Sequence, residues 1–508
     1  MSSPIRMRTA AAVIAASVLV SRILGLGRDA LIAFLFGRSL EADLYVQAFL
    51  IPDFLNYLLA GAYLTITLVP ILSRHLERGD PDSASRAFTS VFRFVAFVIV
   101  GLTVVMWLLA GPLVDLVFPG VEDTARLVTL TRIVLPAQVF LVLGALLMAV
   151  QYTHKRFVLP ALAPIVYNLG IIGGGLVGWA MGDPSPESFL IGAVAGAATG
   201  NFALQWLGAR RSGTWFAAGG DGSTVREYLV LALPLMVGQS VAVLDEQFVR
   251  LFGQVDPGMT AALNYARRLN MVPVGVIAQA AGVAAFPFLA GLFASGADEE
   301  LIETTGRAAR KTVFVAALAT AGLVVVARPL VRLVYQYGAF GSGDAELVAG
   351  LLVIYAFSIP AWGMHQLLAR HFYAKRKMWT PVLIGSLFTL AAVPLWLGLY
   401  QLMGVEGFAL ASTLVMIGYS LGLLAAWGRD SGWEPVRRLA PVFGRSMISA
   451  AVAGGLGWLV VDAMIDGGDL TVWAGLGAGL LGGLTTLAAF LAVSRLLRSP
   501  EMREVLTR

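Results

Sequence analysis

Apolar stretches of about 20 residues or more, the length a helix needs to cross a hydrocarbon core, recur from one end of this chain to the other with no long polar region between them. Each such stretch must satisfy its own backbone hydrogen bonds in lipid, so the chain is confined to all-α architecture. Composition agrees: of 508 residues, 58% are hydrophobic and only 13% charged, far from ordinary soluble usage. Fourteen candidate spans follow, at 8–36, 43–73, 86–118, 125–152, 158–181, 188–209, 226–253, 259–293, 308–336, 346–374, 380–401, 405–427, 442–462 and 470–497. The first has Arg6 and Arg8 ahead of it like a signal peptide, but it runs on through Arg22 and Arg28 without a clear small-residue cleavage site. It reads as a retained helix.

The net charge of +5 does not point to nucleic acid, because the basic residues are scattered through short loops rather than gathered in a patch. Alternate loops differ in sign. One set carries Arg74, Arg78 and Arg86, then Lys155 and Arg156, Arg210 and Arg211, Arg307 and Arg310, Lys375, Arg376 and Lys377, Arg437 and Arg438, and Arg495 and Arg498. The other carries Glu122 and Asp123, Asp183 and Glu187, Asp256, Asp344, Glu406, and Asp462 and Asp466, with Arg38 the main exception. The positive-inside rule puts the first set, and both termini, in the cytoplasm.

The two halves resemble each other. GPLVDLVFPG at 111–120 answers to RPLVRLVYQYG at 328–338, and the segment 135–162 answers to 359–383, with proline, a basic loop and a second proline in the same order. The offset is about 220 residues, or six spans, an even number, so the copies share one orientation as parallel repeats do. The expected domains are a six-helix bundle at 1–212, a second at 213–430 and an appended helix pair at 431–508. Such paired bundles offer a cleft that opens to either side of the membrane.

Charge inside the spans is the functional signal, because a charge at mid-bilayer costs about 2.5–3.5 kcal/mol on insertion scales. Span 1 holds Arg22, Arg28 and Asp29. Arg28 and Asp29 leave the helix in different directions and are expected not to neutralise each other simply. From Arg22 to Arg28 the helix rises about 9 Å and turns about 240°, so only a bend, for which Gly25 and Gly27 are suited, aims both at one place. Span 2 adds Asp43, Asp53 and Asn56; span 8 adds Arg267 and Arg268. Arginine keeps its charge when desolvated and its planar fork matches phosphate oxygens, so the set points to an anionic, phosphate-bearing ligand. Snorkelling, or pairing with Asp29, Asp43 and Asp53, competes with that reading for any one of them.

In span 7, Asp245 and Glu246 form a carboxylate pair suited to Na⁺ or a proton, in competition with an i,i+4 ion pair from Glu246 to Arg250. The four histidines, His75, His154, His365 and His371, form no metal constellation, and no cysteine exists to form one. Gly173, Gly174, Gly175 and the spaced Gly192, Gly196, Gly200 read as close helix packing. No Walker sequence occurs, so ATP is not the expected energy source. The chain reads as a transporter and not an enzyme.

The segments SRILGLGRDALIAFLFG (21–37), ADLYVQAFLIPDFL (42–55), LVPILSRHLERGD (68–80), KRFVLPALAPIVYNLGIIG (155–173), LNYARRLNMVPVGV (263–276), QYGAF (336–340) and FYAKRKMWTPV (372–382) resemble the MurJ (MviN-type) lipid II flippases of the MOP exporter superfamily. The resemblance implies a flippase turning undecaprenyl-diphosphate-linked peptidoglycan precursor from the cytoplasmic to the periplasmic leaflet of the bacterial inner membrane by alternating access. It implies that Arg22, Arg28 and Arg268 hold the diphosphate and sugar, that Asp43 is the family's span-2 aspartate, and that the last two helices accommodate the lipid tail; Asp29 and Arg267 join the candidate substrate-binding set from the charge pattern alone. Partners would be lipid II and membrane lipids, the protein a monomer, and no cofactor is needed beyond coupling to Na⁺, a proton or the membrane potential. Two departures stand out: Asn56 replaces an arginine common in the family, and span 11 lacks an acidic residue for the Na⁺ site of some members. Other readings are a flippase for another polyprenyl-diphosphate oligosaccharide, a MATE-like exporter, which would want an acidic cavity, and a non-transporting scaffold.

Overall fold

The computed structural model describes residues 4–58, 61–219, 222–242, 256–278, 286–465 and 472–506, and every regular element among them is helical. The chain divides into two compact units, Met1–Ala261 and Ala262–Arg508. Nine helices are long and apolar enough to cross a membrane among the described residues, and up to ten if the bent pair Ser342–Ala356 and Ile359–Ala374 is one span. These correspond to expected spans 3–6 and 9–14. The remaining four fall on the first helix and on runs that pass in part outside the described residues.

In the first unit, α1 (Pro4–Phe36) is followed by three short helices, α2 (Leu40–Ala48), α3 (Leu50–Leu58) and α4 (Gly61–Glu77). Then come α5 (Pro81–Leu108), α6 (Ala110–Val117), α7 (Thr124–Val134), α8 (Ala137–Thr153), α9 (Val158–Ala180) and α10 (Pro186–Gly196). A π-helical turn, Ala197–Ala203, joins α10 to α11 (Leu204–Arg210), and α12 is Gly222–Ala242. The core gathers Leu55, Leu72, Phe88, Val91, Leu146 and Tyr228 from α3, α4, α5, α8 and α12. The aromatic rings of Phe88, Phe92, Trp206, Trp215 and Phe216 close one end of it, packed edge to face or tilted at 4.7–5.5 Å.

After α13 (Met259–Ala278), the second unit contains α14 (Phe286–Ala294), α15 (Asp298–Tyr335), α16 (Ser342–Ala356), α17 (Ile359–Ala374), α18 (Trp379–Met403) and α19 (Val405–Ser431). It ends with α20 (Glu434–Arg437), α21 (Leu439–Ile465), α22 (Val472–Leu496) and α23 (Pro500–Leu506). The long α15 is its spine, packing on α16, α17, α21 and α22. Outside, large apolar side chains stand bare: Leu402 is 80% exposed and Trp473 82%. In water such a surface would drive aggregation; in hydrocarbon it carries no penalty.

The halves share local detail. Helices α8 and α17 both end in a turn whose second residue past the helix is left-handed and basic, Lys155 at φ 57° and Arg376 at φ 58°, about 220 residues apart, where glycine would be the usual choice. The closing bonds correspond: Arg156 N–H donates to Gln151 O and Lys377 N–H to Phe372 O, each at 2.8 Å. Keeping a cation at these strained positions fits loops whose charge holds the chain's orientation.

The expected glycine seam joins α9 to α10. A Cβ at Gly170 would sit 2.6 Å from Gly196 Cα, one at Gly174 2.2 Å from Ser188 O, one at Gly192 2.3 Å from Gly170 O, and one at Gly196 2.8 Å from Tyr167 O. Gly175 faces the Phe189 ring and Gly200 faces Val166, while Gly173 has nothing within 4 Å and takes no part. Gly192→Val therefore forces two backbones apart and should cost about 3 kcal/mol, the upper range for overpacking. Thermal unfolding of the detergent-solubilised protein checks this, with Gly173→Val near wild type as the matched control.

Candidate functional site

Helix α1 runs unbroken through Gly25 and Gly27, so no break in the helix there brings Arg22 and Arg28 together. Arg22 is exposed, whereas Arg28 is turned inward, with 13% of its side chain accessible. The expectation that Arg28 and Asp29 do not neutralise each other is also corrected. Arg28 Nε and Nη2 both donate to Asp29 Oδ1, at 3.0 and 2.8 Å, and Asp29 is buried with 4% of its side chain accessible. Adjacent Cβ atoms do diverge on a helix, but three methylenes let a guanidinium fold back onto its neighbour.

A residue not singled out from the sequence completes the cluster. Asn168, buried on α9, accepts from Arg28 Nη1 at 3.3 Å through Oδ1. Its Nδ2 donates to Ser21 Oγ at 3.3 Å and to Pro164 O at 2.9 Å. Arg28, Asp29, Asn168 and Ser21 thus form one polar island between α1 and α9, two helices that pack along each other. The available sign was a carboxamide in the middle of the apolar run IVYNLGII, outweighed by attention to formal charges.

Asp43, expected among the ligands of the anion, has both carboxylate oxygens engaged by backbone. Oδ2 accepts from Gly258 N–H at 2.6 Å and Oδ1 from Ala261 N–H at 2.7 Å, in a setting where Asp43 is 2% exposed. It caps the first turn of α13, satisfying donors that a helix start leaves open. The approach is tight: Gly258 has φ +80°, and a Cβ there would lie 2.5 Å from Arg38 Cγ. Gln47, one turn along α2, donates to Thr260 Oγ1 at 3.1 Å and fixes the same junction.

Asn56 donates through Nδ2 to Gln138 Oε1 at 2.9 Å, a neutral pair linking α3 to α8 where the resembled family would place a cation. On α13, Arg267 is half-buried and Arg268 exposed, and both have interactions of their own. Asp245, Glu246 and Arg250 lie outside the described residues, as do the whole of residues 243–255. Nearer the predicted periplasmic side, Arg126 of α7 bridges Glu41 of α2 and Glu187 of α10, the latter through Nε at 3.0 Å and Nη2 at 3.1 Å. Sequence alone places these three charges at span ends without pairing them. Among the described residues, no three His, Cys, Asp or Glu side chains are grouped to hold a metal ion.

The cluster offers a cation of fixed direction inside an apolar helix pair, with Asp29 compensating part of its charge. That arrangement suits reversible capture of an anionic group. Comparisons with known proteins bear on which. The family model described as "Lipid II flippase MurJ" matches residues 32–469. The chain is 27% identical over 453 residues to a probable lipid II flippase MurJ of Rhizobium tropici, covering 87% of this chain and 84% of the relative. It is 27% identical over 498 residues to the lipid II flippase MurJ of Burkholderia cenocepacia, covering 94% and 93%. Among solved structures, a lipid II flippase MurJ in an inward closed conformation superposes with a TM-score of 0.77 at 23% identity, over 96% of this chain and 99% of that one. An inward-facing multidrug resistance MATE family transporter of the MOP superfamily gives 0.66 at 14% identity, over 83% and 95%. These superpositions establish a shared fold.

Proposed function

Because the chain belongs to the lipid II flippase MurJ family, we propose that it carries lipid II, the undecaprenyl-diphosphate-linked peptidoglycan precursor, from the cytoplasmic to the periplasmic leaflet of a bacterial inner membrane by alternating access. The observation that supports this most directly is Arg28, a guanidinium held inside the helical unit by Asp29 and Asn168. A diphosphate presents paired anionic oxygens, and arginine is the side chain that meets them with parallel N–H groups. The headgroup would be engaged by Arg28, with Arg22 on the same helix as a further cation. Asp43 would contribute by holding the start of α13.

The basic loops support an orientation with both termini in the cytoplasm. Transport would draw on the membrane potential or on a cation bound at Asp245 or Glu246. The neutral Asn56–Gln138 pair is the observation that favours a second reading, in which the carried oligosaccharide differs from that of lipid II while the polyprenyl diphosphate is retained.

The deciding experiment depletes a cell of its own lipid II flippase, supplies this protein, and measures lipid II exposed at the outer face. Restored exposure and growth are expected. If the protein is inserted and folded but exposure stays at the depleted level, lipid II is not its cargo.

A further inference from the structure

Arg28 has five N–H groups, and the way three of them are held points to a division of labour. Asp29 takes Nε–H and one Nη2–H through a single oxygen. Asn168 takes one Nη1–H. A carboxylate draws a guanidinium strongly but also cancels its charge. A carboxamide oxygen directs the same group and leaves the charge intact. Asn168 can direct because it is itself held at two points, by Ser21 Oγ on α1 and by the Pro164 carbonyl one turn back on α9. Its oxygen therefore faces α1 and cannot rotate away without breaking both bonds.

We propose that Asn168 is a positioning residue for transport: its carboxamide aims the Arg28 guanidinium, so that the N–H groups not held by Asp29 or Asn168 meet the diphosphate of the cargo in a fixed orientation. This rests on the reading that Arg28 receives the diphosphate. Without Asn168 the Nη1 side of the fork is released, and the guanidinium collapses further onto Asp29, its nearest anion. Binding then weakens because a pre-aimed donor must be re-ordered for every capture. Mere cement between α1 and α9 predicts something else: lost stability, and a binding defect that does not depend on Arg28.

The test uses the full chain purified in detergent, with undecaprenyl diphosphate as the probe and affinity read by thermophoresis. Asn168→Ala is expected to weaken binding by about tenfold, as loss of one hydrogen bond to a charged group does. In an Arg28→Ala background the same substitution is expected to cost nothing more, because the group it aims is gone. Asn168→Asp keeps the acceptor but adds a second carboxylate beside Arg28, and is expected to bind more weakly than wild type despite the retained contact. Wild-type affinity for Asn168→Ala, or losses that multiply in the double variant, would overturn the proposal. If Asn168→Ala does not fold, Ser21→Ala decides, removing only the support behind the amide: a loss of about threefold that vanishes in the Arg28→Ala background is expected, and its persistence there counts against positioning. Unchanged binding by Arg28→Ala alone would instead remove the diphosphate role of Arg28.

Discussion

Arg28→Ala is expected to abolish rescue of flippase-depleted cells, cutting lipid II exposure by about a hundredfold, while the protein still inserts and folds. Breaking a buried, hydrogen-bonded ion pair costs about 3–5 kcal/mol, and here the removed partner is also the proposed ligand of the cargo. Asp29 loses the two Arg28 N–H donors to its Oδ1 and becomes a buried carboxylate facing the place where an anion is to be held. Repulsion is thereby added to the lost attraction. Arg28→Lys should recover part of the activity, since it restores charge without the planar fork. Arg22→Ala should do much less damage, because Arg22 is exposed. Full rescue by Arg28→Ala would remove the diphosphate role assigned to this residue.

Asp43→Leu is expected to lower stability by about 2–6 kcal/mol, because two backbone donors at the start of α13 lose their acceptor in a buried setting and each orphaned donor costs about 1–3 kcal/mol. The leucine is nearly isosteric, so little of the loss would come from a cavity. Asp43→Asn keeps one acceptor and should cost roughly half as much. Thermal unfolding in detergent, followed by loss of the monodisperse peak, reads both. A melting temperature for Asp43→Leu equal to that of wild type would mean the cap contributes nothing. An Asp43→Asn protein of wild-type stability that fails to transport would move Asp43 from helix cap to cargo ligand.

Much of the fold is written in local features. Ten of the fourteen expected spans coincide with helices, or one bent pair, able to cross a membrane. The glycines of α9 and α10 announce a close seam, and Gly173 departs from it because at one residue before Gly174 it lies on another face of the helix. Span 2 reads as one run in hydropathy but is interrupted at Phe49, between α2 and α3, which an apolar average cannot register. At the site, Arg28 stands out as a charge in an apolar span, while its pairing with Asp29 is hidden by an argument from Cβ directions that neglects the length of the side chain. Asn168 draws less notice because it carries no charge.

What the sequence by itself determined is the solvent and the class of fold: lipid, and helices within it, since span length, apolarity and loop charge are properties of contiguous residues. Only the tertiary structure decided who holds whom. Asn168 is 140 residues from Arg28, and Gly258 and Ala261 are 215 and 218 from Asp43. A hydrogen bond requires approach within about 3 Å and a set direction. Over such separations no periodicity in the chain encodes either; they arise only when the helices pack.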